Sequence, residues 1–270
     1  MNGVIVVDKA KGNTSFDEIR KIRKEYNIKK VGHTGTLDPM ATGVLTILVG
    51  EATKLSDYLM EHDKEYVATL TLGEKRDTGD SEGKIIETKK VPELNEKDVK
   101  ETLKSFEGEI SQIPPKYSAI KVNGKKLYEY ARSGEEIEIK PRKVTIFEIN
   151  LIEIKENNIR FKVHCSKGTY IRTLCEDIAE KLGTVGYMSS LRRTRVGNFT
   201  LDDVEKIFSI EETLKNEPEY KLKDKELSKF LNGVKIKANL KDGLVRVYDN
   251  DKFIGVGEIK TQELKRKIVI

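Results

Sequence analysis

Apolar residues come in short bursts along the whole chain, and their spacing predicts strands and helices interleaved throughout. Val4-Ile5-Val6-Val7 makes Gly3–Val7 a short buried strand. Ser15-Phe16-Asp17-Glu18 has the residue types of a capping box, with the Ser15 hydroxyl accepting from the Glu18 amide, and predicts a helix to about Lys24. Val44–Val49 and Tyr66–Leu72 read as strands, with a helix over Ala52–Glu61 between them. After a turn at Asp77–Gly83, Asn95 caps a helix running to about Phe106. Two strands flank the turn Glu156-Asn157-Asn158, and the loop Cys165–Tyr170 leads into a helix from about Ile171 to Leu182. Strand-like segments carrying Arg192, Arg193 and Arg195 follow. Hairpins mixed with helices, in place of strict βαβ repetition, predict an α+β fold with a mixed, mostly antiparallel central sheet flanked by helices.

Two stretches break this rhythm. Pro114–Pro141 is a long excursion, opened by Pro114-Pro115 and interrupted at Gly124, in which Leu127–Ala131 can form a short helix; loops of such length inside a domain are functional or disordered. Composition shifts again near residue 210. Beyond Pro218, short strands at Leu244–Tyr248, Phe253–Glu258 and Ile268–Ile270 alternate with glycine and Asp-Asn turns. The organisation expected is a main domain over residues 1–215, with an insertion at about 114–141, and a small β module over residues 220–270.

With 270 residues, 37% of them hydrophobic, the chain can bury a genuine core. No apolar run approaches the ~20 residues of a bilayer span, and no basic stretch precedes the first strand, so a soluble, unexported, cytoplasmic protein is expected. Cys165 and Cys175 are too few for a disulfide framework, and with His33, His62 and His164 they match no common zinc spacing, so no metal is expected. The net charge of +5 is modest but uneven: residues 201–220 carry seven acids and two bases, and residues 221–270 thirteen bases and seven acids. A basic body and a basic tail joined by an acidic stretch suit a polyanionic partner, although solvated surface lysines give the same count.

The densest punctuation is Gly32-His33-Thr34-Gly35-Thr36-Leu37-Asp38-Pro39-Met40-Ala41-Thr42-Gly43. Its glycines permit positive φ and close backbone approach, and Pro39 biases Asp38 toward an extended conformation. Asp38 is therefore expected on a stiff loop. A plain Asp-Pro turn is the alternative, and the Gly-Lys-Ser/Thr ending of a phosphate-binding loop is missing.

This segment resembles the catalytic motif of the bacterial TruB family, tRNA pseudouridine synthases that modify uridine 55 in the T loop. The resemblance continues, in the family's order, through Glu51-Ala52-Thr53-Lys54, Asp63-Lys64-Glu65-Tyr66, Asp77-Thr78-Gly79-Asp80, Ile113–Ala119, Gly124–Arg132 and His164–Thr173, covering roughly residues 3–200. One departure is Lys9-Ala10-Lys11-Gly12, where the family has Lys-Pro-x-Gly. The C-terminal module resembles PUA-type RNA-binding domains only faintly.

The resemblance implies the pseudouridine synthase fold and an isomerase that uses no cofactor. It makes Asp38 the catalytic carboxylate and gives it a salt bridge to Arg172, which is expected to lower its pKa. Whether Asp38 attacks the ribose or starts elimination toward a glycal stays open. A glycosidase would need two carboxylates flanking the bond. Tyr66 stacks on the flipped uracil and takes the C5 proton; His33 fills space vacated in the T loop; Tyr170 and Leu191 line the pocket, and Lys54 and Asp80 organise it. The insertion grips RNA, with Lys116, Lys121, Lys125, Lys126 and Arg132, together with Lys9, as backbone contacts and Tyr117, Tyr128 and Tyr130 interleaved. The partner implied is the tRNA T arm, met by a monomer that needs no protein or guide RNA. A guide-dependent synthase, a non-catalytic RNA chaperone and a nucleoside hydrolase are the rival readings.

Overall fold

The strand Thr42–Val49 is buried along nearly its whole length because separate apolar cores cover its two faces, Leu45, Ile47 and Val49 on one side and Val44 and Leu48 on the other. That double burial explains a near-continuous apolar run. The computed structural model describes residues 1–270 except Ala119, Asn123 and Glu136, and except the side chains of Lys121, Ala131 and Arg132. The chain begins with β1 (Gly3–Lys9), α1 (Ser15–Glu25), β2 (Val31–His33), β3 (Thr42–Val49), a 3₁₀ stretch (Gly50–Leu55), α2 (Ser56–Met60), β4 (Lys64–Leu72) and the hairpin β5 (Glu74–Arg76) and β6 (Ile85–Thr88). Next come α3 (Glu96–Lys104), β7 (Gly108–Gln112), β8 (Lys121–Val122), β9 (Lys125–Lys126), α4 (Leu127–Ser133), β10 (Arg142–Lys155) and β11 (Asn158–Cys165). Then follow α5 (Ile171–Lys181), β12 (Gly186–Val196), β13 (Phe199–Thr200) and β14 (Ile207–Phe208). The remainder comprises α6 (Ile210–Thr213), β15 (Glu219–Lys221), α7 (Glu226–Leu231), β16 (Ile236–Lys237), β17 (Gly243–Asp249), β18 (Lys252–Lys260) and β19 (Glu263–Val269).

The main sheet runs β14, β1, β3, β12, β4, β11, β10, β7, with β2 beside β3. Its pairings are antiparallel except between β12 and β3, where Arg193 lies opposite Gly43. Along β4 the residues Tyr66, Ala68, Leu70 and Leu72 alternate into the core under α3 and α5, while the intervening residues are half-buried. A second sheet, ordered β15, β17, β18, β19, β16, sends Leu244, Val256 and Ile268 into the core beneath β1 and β3. The fold is α+β with a mixed, mostly antiparallel sheet.

Several local expectations are corrected. Thr14, not Ser15, caps α1: its hydroxyl accepts from the Asp17 amide at 3.2 Å, and the Asp17 carboxylate accepts from the Thr14 amide at 2.9 Å. Ser15 is freed to turn inward. The helix expected over Ala52–Glu61 is a 3₁₀ stretch followed by the short α2, and the Thr53 hydroxyl donating to the Gly50 carbonyl at 2.8 Å competes with α-helical pairing there. The start of the glycine-rich segment is a strand, because Val31, Gly32 and His33 pair with Val49, Leu48 and Ile47. β6 is exposed throughout and so carries no burial pattern to read.

Gly43 has φ +107°, and a Cβ there would run into the Arg193 backbone. Gly183, which ends α5 at φ +82°, has open space around it. Gly43→Ala is expected to cost about 3 kcal/mol or more, from strain plus a backbone clash. Gly183→Ala should cost only about 1 kcal/mol. Urea unfolding followed by circular dichroism measures both, and equal losses would contradict the close approach of β3 and β12.

Candidate active site

The loop between β2 and β3 is braced from below before its aspartate does anything. Leu37, Met40 and Ala41 are buried in the core, and the Ala41 amide closes a turn on the Asp38 carbonyl at 3.0 Å. Ser15, at the start of α1, accepts from the Leu37 amide at 2.9 Å and donates to the Leu37 carbonyl at 3.2 Å. Lys9 is 0% exposed, and its ammonium donates to the carbonyls of Asn13 at 2.6 Å, Ala10 at 3.1 Å and Pro39 at 3.3 Å. The Gly12 amide also donates to Pro39, at 2.8 Å. Lys9 therefore does not offer its charge to a phosphate, because its donors are used inside the protein. It ties the Lys9–Asn13 turn to the aspartate loop, and burial lowers its pKa.

Asp38 projects from this loop with its side chain 34% exposed, against 7% for Arg172. Arg172 Nε lies 3.2 Å from Asp38 Oδ2. The rest of the guanidinium is spoken for: Nη1 donates to the Thr78 carbonyl at 3.1 Å and lies 3.6 Å from Asp80 Oδ2, while Nη2 donates to the Tyr117 carbonyl at 2.9 Å. Asp80 Oδ1 accepts from the Thr78 hydroxyl at 2.7 Å and the Glu82 amide at 3.0 Å. Arg172 occupies the first turn of α5, an unfavourable position for a cation by the helix dipole. Two carboxylates offset that misfit.

The expected lowering of the Asp38 pKa is not the net result. Burial pushes it up, Arg172 and Lys9 pull down, and the neighbouring Asp80 charge pushes up again, leaving it above the ordinary value. Burial is the largest effect, and the Asp80 charge adds to it against the pull of Arg172.

Tyr66 and Tyr170 lie close enough to Asp38 for its charge to raise both hydroxyls, in each case after the larger effect of burial. Leu191, opposite Ala68 on β12, belongs to the same core cluster as Tyr66. His33 is half-buried; its Nδ1 accepts from the Gly35 amide at 3.2 Å, and burial together with the Arg193 charge lowers its pKa. Gln112, on β7, clamps the Tyr170 backbone at 3.0 and 3.2 Å, and Thr173 donates to the Ile113 carbonyl at 3.2 Å. The start of α5 thus holds the root of the insertion.

Other expected residues stand apart. Lys54 is exposed and pairs at 2.5 Å with Glu51, which also binds Lys30 at 3.0 Å, so its charge is used on the protein surface. In the insertion, Lys125 pairs with Glu135 at 2.7 Å and lies 4.5 Å from the Tyr130 ring centroid; Lys126 lies 5.3 Å from that of Tyr128. Lys116 is exposed, and the side chains of Lys121 and Arg132 lie outside the described residues. Cys165 and Cys175 are buried in the core. Among the described residues no helix is long and apolar enough to cross a membrane.

Gln112 and Arg193 went unassigned from sequence, and Ser15 was read as a helix cap in place of a brace for Leu37. Arg193 is 2% exposed, and its Nε donates to the Val44 carbonyl at 2.7 Å and Nη2 to the Gly35 carbonyl at 3.2 Å. The usable signal was strand alternation, which turns Arg193 inward between two outward-facing neighbours.

Residues 23–171 match the model of the TruB family pseudouridylate synthase N-terminal domain. Residues 172–235 match the tRNA pseudouridylate synthase B C-terminal domain, and residues 218–269 the pseudouridine synthase II TruB C-terminal region. The chain is 46% identical to tRNA pseudouridine synthase B of Clostridium kluyveri, over 98% of each chain. It is 47% identical to the protein of that name in Caldanaerobacter subterraneus subsp. tengcongensis, over 99% of this chain and 98% of the other. A chain of an H/ACA RNP solved with a substrate RNA containing 2'-deoxyuridine superposes with TM-score 0.69 at 27% identity, covering 95% of this chain and 77% of that one. A Cbf5–Nop10–Gar1 complex gives TM-score 0.71 at 28% identity, with 95% and 78% covered. A braced aspartate loop facing an arginine on α5, in a sheet shared with these structures and a sequence matched from residue 23 to 269, makes this chain a member of the TruB family of pseudouridine synthases.

Proposed function

We propose that this chain isomerises one uridine of tRNA, position 55 in the T loop, to pseudouridine, with Asp38 as its catalytic carboxylate. The observation that carries the reading is the Asp38–Arg172 pair. It joins a partly exposed carboxylate to a buried, fully engaged guanidinium beside Tyr66 and Tyr170. Pseudouridylation breaks the N1–C1′ bond, turns the uracil, bonds C5 to C1′ and moves one proton from C5 while N1 gains one. Nothing is oxidised or reduced, so the chemistry asks for no cofactor. Asp38 meets C1′ as nucleophile, or removes a ribose proton to begin elimination; its partly exposed oxygens suit either task.

The target base must leave its stack, at a cost of a few kcal/mol, and aromatic walls such as Tyr66 and Tyr170 offset it. Glycoside hydrolysis fits less well. The second carboxylate, Asp80, is 5% exposed on its side chain and already bound by Arg172, Thr78 and Glu82, so it is not free to protonate a leaving group. The near-full-length match to synthase B proteins at 46–47% identity, against 27–28% for chains from H/ACA assemblies, favours action without guide RNA or protein partners, as a monomer.

Asp38→Asn is expected to keep tRNA binding while lowering tritium release from C5-labelled uridine by at least ~10³-fold. Turnover near the wild-type rate would overturn the mechanism. Activity on a bare T-arm stem-loop tests independence from guides.

Filter binding against salt checks the RNA contacts. Replacing Lys116, Lys125 and Lys126 with alanine should reduce the log–log slope by about 2, at ~0.7–0.9 per phosphate contact. Lys9→Met should leave the slope unchanged and instead lower the urea midpoint, since the Ala10 and Asn13 carbonyls lose the Lys9 donor and Pro39 keeps only the Gly12 amide. A slope change at Lys9 would contradict its internal role.

The raised Asp38 pKa has a stability consequence. The folded state holds this proton more tightly than the unfolded chain, so the ionised group costs stability. That cost is absent below the ordinary carboxylate range and grows as pH rises through the folded pKa. Asp38→Asn should therefore be more stable than wild type at pH 7–8. The gap should close below about pH 4. Urea midpoints measured across pH test this, and a pH-independent difference would refute it.

A further inference from the structure

β12 carries three arginines with different fates. Arg192 grips Asp8 through two bonds at 2.7 and 3.1 Å, and Arg195 pairs with Asp63 at 2.9 Å. Arg193 is the inward one, and among the described residues no carboxylate reaches it. Burying a cation without a counter-anion costs several kcal/mol. Its bonds to the Gly35 and Val44 carbonyls do not explain that expense, because a neutral amide could satisfy both. What a neutral donor could not supply is charge. The group beside it that would use charge is the Tyr66 hydroxyl, since Tyr66 stands directly opposite Arg193 across the β12–β4 ladder and feels its charge.

We propose that Arg193 is a positioning residue for Tyr66, its guanidinium supplying the positive charge against which the Tyr66 oxygen removes the C5 proton. The proposal rests on the pseudouridine reading above. Once C5 is bonded to C1′, it carries both the sugar and its hydrogen. The C5–H bond then breaks; its electron pair forms the C5–C6 double bond, and the C6–N1 π pair moves onto N1, which takes a proton from solvent. The C5 proton goes to Tyr66, which enters this step as the phenolate and leaves as the phenol, later returning that proton to solvent. Burial opposes the phenolate and raises the proton affinity of Tyr66, while Arg193 acts in the other direction. Its grip on Gly35 ties the same guanidinium to the aspartate loop, so the two reacting side chains are referred to one rigid point.

The test compares tRNA carrying hydrogen or deuterium at C5 of the target uridine, in single turnover. Arg193→Met is expected to slow the reaction about 10²- to 10³-fold, as loss of a preorganised donor does, and to show a larger primary isotope effect than wild type. Arg193→Lys keeps the charge and should recover part of the rate. A purely structural role would slow glycosidic cleavage and leave the isotope effect at the wild-type value, and that result overturns the proposal. Tyr66→Phe provides a second arm that spares the Gly35 and Val44 contacts. Adding Arg193→Lys to Tyr66→Phe should cost little further, whereas a fully additive loss refutes the coupling. Wild-type enzyme that releases no C5 tritium would sink the pseudouridine reading itself, and this inference with it; active wild type with isotope-silent Arg193 variants sinks only the role of Arg193.

Discussion

One guanidinium holds three separate parts of the chain in register. Arg172 reaches Asp38 on the β2–β3 loop, Thr78 and Asp80 on the turn after β5, and the Tyr117 carbonyl at the root of the insertion. Because the planar fork offers its donors in fixed directions, satisfying all of these fixes the distances among them. Arg172 also stands as one positive charge between two carboxylates that differ in surroundings. Asp80 is buried and saturated with hydrogen bonds, while Asp38 keeps an open side. The asymmetry sets the two acids apart: Asp80 is anchored, while Asp38 stays partly exposed.

The rest of the site is built to keep Asp38 from relaxing away. Lys9 and Ser15 hold the flanking backbone from one side, and Arg193 holds Gly35 from the other. Two of these three braces are buried cations, an arrangement that favours preorganisation over stability. A carboxylate with a raised pKa belongs to the same pattern, since its ionisation is paid for elsewhere in the fold.

The insertion is coupled to this centre rather than merely adjacent to it. Gln112 clamps Tyr170, Thr173 binds the Ile113 carbonyl, and Arg172 binds that of Tyr117, so residues 112–117 are fastened to the first turn of α5. A ligand gripped by the insertion would press on the same helix turn that carries the Asp38 partner.

Much of the fold, and the stiff loop that carries Asp38, were legible in the chain itself. Continuous apolar runs mark β1 and β3, period-two alternation marks β4 and β11, helical spacing marks α5, and the glycine and proline pattern marks a stiff loop around Asp38. Thr14 in place of Ser15 as the helix cap is a one-residue shift that capping chemistry alone does not resolve, since both hydroxyls qualify; Ser15 was claimed by Leu37, 22 positions away. β6 escaped notice because it is exposed along its length. Charge was least legible. Lys9, Lys54 and Arg193 look alike as cations in a sequence, yet one braces a loop, one pairs on the surface and one lies buried beside Tyr66. Local order is fixed by torsional preference and burial period, which act over a few residues. The work each cation does depends on which carbonyls and carboxylates the folded chain carries within about 3 Å of it, and only the tertiary structure decides that.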